Sequence, residues 1–556
     1  MKSNALLWIV KQIKNRLPAI AIMAAAQVGH ALFCVWFALG SRNVIDSAVA
    51  GDKLLFKAAC LKQLAIIAGI LICLTVVRHL RDRLRADLER DWKQRLLHGL
   101  LNGDYADVSA YHTAELLNRL NNDVSKVNEG ILSIIPNAAS MVTRMVGAVA
   151  VLSALDGRFT LLVVLCGCAV IGVTAVMRRR LKDLNKRVSE HDGKVSGHLQ
   201  ETMEKLLVIQ AMDVAHEVER RSDMLLDDRY RMQRKRKNIS LIANTSISLM
   251  HYGAGFLALC WCAAKLLRGE MSFGSLTAVI QLVNQLQVPF VNLSGIMPQY
   301  VAMVASAERL MELDAIQGEP LPSESDCREL YARMESVCAE NLRFSYDRDV
   351  VFENAEFSLP KGAFAVVTGP SGIGKSTVLK LLLGVFRPDS GRVYIETPDG
   401  RISLDRATRK LFAYVPQGNL LFSGTVLDNL TIVKPDATEE EIQQAVFASG
   451  MDEFINKMPD GLRTVLGESG AGLSEGQAQR LAIGRAVLSD APILLLDECT
   501  SALDEDTEKK VLHRLRALPN RTCIAVTHRP AAAALCDWKM GVDAGKIQVL
   551  RAQNIE

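Results

Sequence analysis

Six long apolar runs before residue 301 constrain the fold of this chain more than any other feature. A helix that crosses the hydrocarbon core of a bilayer needs about 20 mostly apolar residues. The runs cover residues 17–40, 57–78, 131–155, 159–177, 239–266 and 275–300. They predict an all-α membrane domain with six spans. The rest of the 556 residues has the composition of a soluble α/β domain.

The connections between these spans alternate in length and charge. Those after the second and fourth spans are long and strongly charged, whereas the others are short. Basic clusters at 178–182 and 234–237 border the fourth and fifth spans, and the positive-inside rule therefore places the long connections and both termini in the cytoplasm. Helical periodicity with few Gly or Pro residues favours helices that continue out of the membrane; separate soluble hairpins are the alternative.

Polar side chains recur at membrane depth in the first, fifth and sixth spans. Because polar groups that face lipid are costly, these side chains should face protein or water. Two interpretations stay open, a polar translocation cavity or hydrogen bonds between helices. Arg144, in the third span, also needs a partner, which the sequence does not identify. The candidate cavity residues are Gln27, His30, Asn244, Ser248, His251, Gln281, Asn284, Gln285 and Asn292.

A phosphate-binding loop occurs in the soluble part of the chain. Residues 369–377 read GPSGIGKST, which fits G-x-x-x-x-G-K-[ST], between a strand-like and a helix-like run. Its glycines let backbone N–H groups close around phosphate oxygens at a helix N-terminus, where the helix dipole favours anions. Lys375 is expected to bind the β- and γ-phosphates, and Ser376 to bind Mg²⁺. The nucleotide-binding residues predicted here are Gly369, Ser371, Gly372, Gly374, Lys375, Ser376 and Thr377.

Two adjacent carboxylates end a second apolar run. Residues 493–496 are fully apolar and predict a buried parallel strand, after which Asp497 and Glu498 follow. Ligands bind at the carboxyl ends of the strands in open α/β sheets. Asp497 therefore suits Mg²⁺, and Glu498 suits polarising the water that attacks the nucleotide.

Residues 473–477, Leu-Ser-Glu-Gly-Gln, resemble the signature of the ATP-binding cassette (ABC) family. The other elements of that family follow in the expected order. Tyr346 resembles the aromatic residue that stacks on adenine, Gln417 the Q-loop glutamine, Asp504 the D-loop aspartate and His528 the switch histidine. Each has a plainer alternative: a strand-surface tyrosine, a solvated loop residue, a helix cap and a sheet-end histidine. All of them in one order favour the family.

The membrane half also resembles that family. Residues 268–276 and 306–310 are similar to the flanks of the last span in type IV ABC exporters. The resemblance implies a multidomain fold, in which an all-α six-helix transmembrane domain precedes an α/β P-loop ATPase domain of the ABC type. The expected boundaries are 1–316 for the transmembrane domain, 317–336 for a linker and 337–556 for the nucleotide-binding domain. The family also implies coupling helices near 107–117 and 210–219.

The resemblance implies ATP and Mg²⁺ as cofactors and a second ABC half-transporter as partner, in a homodimer or a heterodimer. ATP would lie between the phosphate-binding loop of one chain and Ser474 and Gly476 of the other. Lys375, Gln417, Glu498 and His528 are the expected catalytic residues, with Ser376, Gln417 and Asp497 at Mg²⁺. Glu475 departs from the commonest signature, which has glycine there, and its carboxylate either points away from the phosphate site or weakens it.

The expected function is ATP-driven export of an unidentified substrate across a bacterial-type cell membrane, with the nucleotide-binding domain in the cytoplasm. Import, or an ATP-gated channel or sensor on the same fold, is the alternative. Lipid is an expected partner and nucleic acid is not, because the net charge is only +4. The spacing of the twelve cysteines resembles no zinc site.

Overall fold

The computed structural model describes residues 2–316, 318, 327–346, 349–418, 421–467, 470, 472–527 and 529–552. Within the helices, some side chains are not described, chiefly between 166 and 182 and between 287 and 295. The chain forms two compact units. The first contains Met1–Leu100 and His112–Ala315, and the second contains Leu101–Tyr111 and Ile316–Glu556. The predicted linker, 317–336, lies partly outside the described residues, and its later part forms a helix from Cys327.

The first unit is helical, and most of the helices up to Asp314 belong to it. They are α1 (Lys2–Gln12), α2 (Leu17–Val49), α3 (Lys53–Asn102), α4 (Tyr105–Ser109), α5 (Thr113–Asn118), α6 (Val124–Leu155), α7 (Gly157–Glu204), α8 (Leu206–Ala211), α9 (Ala215–Leu267) and α10 (Phe273–Asp314), of which α4 and the end of α3 belong to the second unit. Helices α2, α6 and α10 pack against one another, and α7 packs against α9.

Four helices are long and apolar enough to cross a membrane within the described part of the chain. They cover Lys14–Val49, Lys53–Asn102, Thr113–Leu155 and Ala215–Leu267. These contain the predicted first, second, third and fifth spans. The fourth and sixth predicted spans lie in α7 and α10, where part of the sequence falls outside the described side chains, so these two spans stay predictions.

The predicted continuation of the spans as helices is confirmed, since α3 has 50 residues, α7 has 48 and α9 has 53. The prediction of a helix at 210–219 is wrong in position. The short helix there, α8, ends at Ala211, and Asp213 has a φ of +53°, a left-handed conformation that interrupts a right-handed helix. Residues 215–219 are already the start of α9.

Asp156 joins α6 to α7, and its side chain is held by contacts with α7 and α9. Its carboxylate caps α7 by accepting hydrogen bonds from the Arg158 and Phe159 amides, and it forms an ion pair with Lys265 at 2.6 Å and accepts from Trp261 Nε1 at 2.9 Å. Burial alone raises the pKa of Asp156, but these hydrogen bonds outweigh burial and lower it to about 2. This junction therefore depends on an ionised carboxylate.

The second unit is an α/β domain. Its strands are β1 (Ser336–Tyr346), β2 (Asp349–Pro360), β3 (Phe364–Thr368), β4 (Ser390–Thr397), β5 (Gly400–Ser403), β6 (Phe412–Val415), β7 (Gly424–Thr425), β8 (Val465–Leu466), β9 (Ile493–Asp497), β10 (Thr522–Val526), β11 (Trp538–Asp543) and β12 (Lys546–Arg551). Its further helices are α11 (Cys327–Arg333), α12 (Lys375–Leu382), α13 (Val426–Thr431), α14 (Glu439–Ala448), α15 (Asp452–Ile455), α16 (Glu475–Leu488), α17 (Glu505–Arg516) and α18 (Pro530–Leu535).

A six-stranded sheet in the order β12-β11-β3-β10-β9-β6 forms the centre of this unit. All its strands pair in parallel except β12, which is antiparallel to β11. Successive residues of β9 point to opposite faces of the sheet and pack in two different hydrophobic cores. Leu494 and Leu496 pack with α13, α14, α16 and α17. Ile493 and Leu495 pack with α12 and the antiparallel sheet β2-β1-β4-β5. The predicted fold class, an all-α domain followed by an α/β domain, is confirmed, as is the buried strand before Asp497.

Candidate functional site

The phosphate-binding loop joins the central strand β3 to the start of α12. Two of its glycines are required by close approach: a Cβ at Gly369 would lie 2.4 Å from the Val542 carbonyl oxygen, and one at Gly374 would lie 2.4 Å from Val351 Cγ1. Gly374 also has a φ of +108°, which favours glycine. The Lys375 ammonium is buried and donates to the Gly369 carbonyl at 3.0 Å and the Pro370 carbonyl at 2.8 Å. The loop therefore holds a positive charge beside backbone N–H groups at a helix N-terminus.

Ser376 and Asp497 meet at the carboxyl edge of the sheet. The Ser376 hydroxyl donates to Asp497 Oδ1 at 2.9 Å, and the Tyr414 hydroxyl donates to Asp497 Oδ2 at 3.0 Å. Burial and the neighbouring Asp497 carboxylate raise the pKa of Tyr414, so its hydroxyl stays a donor. Tyr414 is a site residue that the sequence analysis did not assign, because its importance depends on β6 lying beside β9.

Glu498 follows Asp497 in a constrained backbone conformation. Its φ is +47°, in the left-handed region that a residue with a side chain rarely adopts. Its amide donates to the Val526 carbonyl of β10 at 3.0 Å, and its Oε2 accepts from Gln417 Nε2 at 2.8 Å. Strain of this kind is concentrated at functional sites. The geometry therefore brings Gln417 and Glu498, the residues predicted to be the Q-loop glutamine and the catalytic base, into direct contact.

Tyr346 lies at the end of β1 with its ring partly exposed. Its hydroxyl is 3.3 Å from Thr377 Oγ1 in α12, and its ring is 5.4 Å from Phe386 in an edge-to-face arrangement. Phe386 also contacts Phe344 at 5.5 Å and Tyr105 of α4 at 5.7 Å. The residue expected to stack on adenine is thus braced by an aromatic cluster that reaches α4 within the same compact unit.

Ser474 and Gly476 form a second group at the start of α16. Ser474 caps this helix by accepting from the Gln477 amide, and a Cβ at Gly476 would lie 2.9 Å from the Ala502 carbonyl oxygen. Gln479, which is buried, donates to Ser501 Oγ at 3.0 Å and accepts from the Ala502 amide at 3.1 Å. The signature helix and the loop at 501–504 are therefore held together as one structure.

Asp504 has the role that its plainer alternative predicted. Its side chain caps α17 by accepting from the Thr507 amide at 3.0 Å, and this hydrogen bond lowers the pKa of Asp504. Nearby, Arg529 donates to the Leu503 and Ser501 carbonyls and pairs with the buried Glu508. Glu475 is exposed in the first turn of α16, where a carboxylate favours the helix dipole.

The predicted residues thus fall into two groups. The phosphate-binding loop, Tyr346, Gln417, Asp497 and Glu498 lie together on one edge of the sheet. Ser474, Gly476 and Asp504 form the other group, and among the described residues no hydrogen bond joins it to residues 369–377. His528 lies outside the described residues.

The candidate cavity residues of the membrane half differ in their contacts and in their burial. His30 contacts Arg144, with Arg144 Nη2 3.0 Å from His30 Nδ1, which supplies the partner that the sequence could not name. Gln285 donates from Nε2 to the Cys34 carbonyl at 2.7 Å. Gln27 and Gln281 are partly buried. Three more positions are exposed, namely Asn244, Ser248 and Asn284, and the side chains of His251 and Asn292 are outside the described set.

Known proteins resemble this chain in both halves. The family model for the ABC transporter transmembrane region matches residues 19–290. A second family model, for the ABC transporter, matches residues 352–501 in the P-loop domain. The chain belongs to the ABC transporter family. In this ABC transporter chain, the helical bundle and the P-loop domain described above correspond to the two matched regions, and the predicted family is confirmed.

Individual relatives cover most of this ABC transporter chain. The mitochondrial potassium channel ATP-binding subunit of Pongo abelii is 30% identical over 467 residues, which are 82% of this chain and 64% of the relative. The fatty acid ABC transporter ATP-binding/permease protein of Mycobacterium bovis is 28% identical over 469 residues, 84% of this chain and 72% of the relative. The chain therefore spans less than two thirds of the first of these relatives.

A solved structure supports the same fold. A bacterial Atm1-family ABC exporter with ATP bound matches with a TM-score of 0.79 over 98% of this chain and 96% of that chain, at 21% identity. At that identity the likeness shows the fold. The family also establishes an ATP-binding domain and a membrane location for this chain.

Proposed function

We propose that this chain is one half of an ATP-driven exporter that works as a dimer in a bacterial-type cell membrane. The observation that carries the proposal is the contact of Ser376 with Asp497 beside the Gln417–Glu498 hydrogen bond, on an edge of the sheet reached by the phosphate-binding loop. This arrangement has the parts needed to hold a nucleotide and to position a water molecule for attack. The fused transmembrane region gives the energy of hydrolysis a membrane domain on which to act.

The residues present fit Mg²⁺. Hydroxyl and carboxylate oxygens suit a hard cation that keeps other positions for phosphate and water. Ser376 and Asp497 supply two such oxygens 2.9 Å apart. The Gln417 side chain, which also carries an amide oxygen, contacts Glu498, the residue after Asp497. When bound, Mg²⁺ neutralises charge on the nucleotide phosphates. Ser376, Asp497 and Gln417 are accordingly the proposed ligands.

The roles of the other residues follow from their placement. Lys375 binds the phosphates with a buried positive charge, and Tyr346 stacks on adenine with its exposed ring face. Glu498 accepts a proton from the attacking water, and Gln417 orients the Glu498 carboxylate through their hydrogen bond. His528, for which the proposal rests on the sequence alone, contacts the γ-phosphate.

The separation of the two groups of residues supports dimerisation. Ser474 and Gly476 lie on a helix N-terminus, which favours phosphate, yet they form no described hydrogen bond with the chain's own phosphate-binding loop. We infer that they complete the ATP site of a second half-transporter, which is another copy or a different chain. ATP then binds two nucleotide-binding domains together, and hydrolysis releases them.

Two short helices are suited to transmit this closure to the membrane helices. Helix α4 belongs to the nucleotide-binding unit, in which Tyr105 contacts Phe386 and Arg406 donates hydrogen bonds to Asn102, the last residue of α3. Between α7 and α9, α8 and the turn after it expose apolar side chains, with Leu207 80% and Met212 69% exposed. Exposed apolar patches mark interaction sites. We propose that the α8 tip docks on the partner's nucleotide-binding domain.

Reconstitution tests the proposal. The full chain in lipid nanodiscs should hydrolyse ATP, and Glu498→Gln should bind ATP while turnover falls about a hundredfold or more, as loss of a general base does. Glu505→Gln is the matched control, since Glu505 is exposed and pairs with Lys509 on the outside of α17.

Vesicles carrying the chain then decide direction. ATP supplied on the nucleotide-binding side should move substrate away from that side against its gradient. Uptake towards that side would make the chain an importer, and purely downhill flux would make it a channel. Undiminished turnover in Glu498→Gln would contradict the assigned base.

A further inference from the structure

A polar cluster lies between α2, α6 and α10 of the membrane half. Arg144 Nη2 is 3.0 Å from His30 Nδ1, and His30 Nε2 is 3.8 Å from Cys34 Sγ. Gln285 donates to the Cys34 carbonyl. Arg144 is eleven residues before Leu155, the last residue of α6, which at about 1.5 Å per residue is about 17 Å along the helix. That depth is close to the middle of a hydrocarbon core about 30 Å thick.

The positive charge of this cluster has no acidic partner among the described side chains. A guanidinium has only donors, so His30 Nδ1 must accept from Arg144 and the His30 ring is neutral. No described carboxylate lies within 4.0 Å of Arg144, although ion pairs with arginine occur elsewhere in the same unit, as between Arg309 and Asp123. An arginine stays protonated even in a membrane, and its burial without a counter-charge is costly. A negative group is therefore the missing complement.

Unpaired polar atoms point the same way. Among the described side chains, none forms a hydrogen bond with the buried Arg144 Nε or with the buried Oε1 atoms of Gln27, Gln281 and Gln285. Gln27 is about one helical turn from His30 on α2, and Gln281 is one turn from Gln285 on α10, so each lies on the face of its helix that carries the cluster. Hydrogen bonding between helices explains the Gln285 amide nitrogen but leaves these four atoms unsatisfied.

We propose that Arg144 and His30, with Gln27 and Gln285 beside them, form a subsite that binds the anionic group of the transported molecule. This inference rests on the proposed transport function and names the class of its substrate: a molecule that carries a carboxylate or a phosphate, together with N–H or O–H groups or an apolar chain. The Arg144 guanidinium, including its buried Nε, donates hydrogen bonds to the anion. The glutamine carbonyl oxygens accept from the N–H or O–H groups of the same molecule. The apolar surroundings in the bundle suit an amphipathic anion.

The experiment uses the full chain in nanodiscs of zwitterionic phosphatidylcholine, so that no lipid supplies net negative charge. Three probes share one alkyl chain: laurate, dodecyl phosphate and uncharged dodecanol. Acetate and inorganic phosphate distinguish a free anion from one carried on an amphipath. Binding of radiolabelled probe and stimulation of ATP hydrolysis are both measured. The variants are Arg144→Gln, Arg144→Lys and, as a matched control, Arg85→Gln, because Arg85 forms an exposed ion pair with Glu129.

The expected result is that laurate or dodecyl phosphate binds the wild type at least tenfold more tightly than dodecanol. Arg144→Gln should lose that preference, Arg144→Lys should keep part of it because it keeps the charge, and Arg85→Gln should match the wild type. His30→Gln serves where Arg144→Gln fails to fold, and it should weaken anion binding several-fold by releasing the guanidinium from its position.

Three results would overturn the subsite: equal binding of dodecanol and the anions, full anion preference in Arg144→Gln, or no binding of any anionic probe. The transport proposal stands apart from these results. It fails where the wild type does not hydrolyse ATP, or where the vesicles show uptake or purely downhill flux, and the binding measurement still decides the subsite in those cases.

Discussion

Replacing Tyr414 with phenylalanine removes one hydroxyl beside the proposed Mg²⁺ ligands and tests how they are held. The Tyr414 hydroxyl donates to Asp497 Oδ2 at 3.0 Å, while Ser376 donates to Oδ1. A hydrogen bond to a charged group contributes about 1.5–3 kcal/mol. About 1.4 kcal/mol corresponds to a factor of ten. The equilibrium that favours the metal-binding orientation of the Asp497 carboxylate should therefore fall by about ten- to a hundredfold. Loss of outer partners of a metal ligand typically has an effect of that size.

The assay is ATP hydrolysis by the full chain as a function of free Mg²⁺ at a fixed, saturating ATP concentration. We expect Tyr414→Phe to raise the half-saturating Mg²⁺ concentration at least tenfold, with the maximum rate at high Mg²⁺ recovered in large part. Tyr331→Phe is the matched control. It removes a buried tyrosine hydroxyl that lies 3.0 Å from Thr522 Oγ1 in the same unit.

The control should cost stability of the same order without any change in the Mg²⁺ requirement. A Mg²⁺ requirement that Tyr414→Phe leaves within twofold of the wild type would refute the reasoning. So would an equal shift in Tyr331→Phe, because the effect would then reflect general loosening of the domain.

Three further predictions concern contacts within single compact units. Phe386→Leu removes the edge-to-face contact with Tyr346, which contributes about 0.5–1.5 kcal/mol. In steady-state kinetics the KM for ATP should therefore rise about two- to tenfold while kcat stays nearly constant. Phe447→Leu, at an exposed position, should not raise the KM, and an unchanged KM in Phe386→Leu would contradict the role of Phe386 in supporting Tyr346. Gln479→Leu removes the hydrogen bonds from the buried Gln479 side chain to Ser501 and Ala502, each of which contributes about 0.5–1.5 kcal/mol. Calorimetry should find a lower Tm and the ATPase rate should fall while ATP still binds, and a normal Tm would count against the link. Asp156 has a folded pKa of about 2 and an unfolded pKa of about 3.9, so it stabilises the fold by about 2–3 kcal/mol above pH 4 and loses that contribution as the pH falls towards 2. Asp156→Asn should therefore unfold at lower temperature than the wild type at pH 7, with a difference that closes between pH 4 and pH 2. A difference independent of pH would argue against the ion pair.

The parts that local sequence could predict are those whose chemistry lies in one continuous segment. The loop at 369–377 and the pair Asp497–Glu498 each carry their function in a strand end and the residues that follow it, so their pattern identified them. The long helices were predictable for the same reason, because periodicity and the lack of breakers act locally.

Contacts between distant segments were beyond the sequence. Tyr414 matters because β6 pairs with β9 and so brings Tyr414 to Asp497, 83 residues away along the chain. Nothing in the residues around Tyr414 predicts that pairing. Arg144 and His30 are 114 residues apart. The sequence signalled that Arg144 needed a partner, but only the packing of α2 on α6 identifies it.

The position of α8 shows the limit of prediction by resemblance. The predicted helix at 210–219 included Asp213, whose left-handed conformation separates α8 from α9. Helix boundaries depend on such single residues. The family supplies the existence of a short helix at this tip, whereas its bounds come from the local backbone.

The proposed transport mechanism depends most on ATP being held between the phosphate-binding loop of one chain and the signature of another. The exchange rate of bound radiolabelled ATP tests this directly, in nanodiscs that contain Glu498→Gln with and without a second substitution, Ser474→Arg. We predict that Glu498→Gln alone retains ATP that exchanges slowly, and that adding Ser474→Arg restores rapid exchange while ATP still binds to the phosphate-binding loop. Slow exchange that persists in the double variant would contradict the shared site.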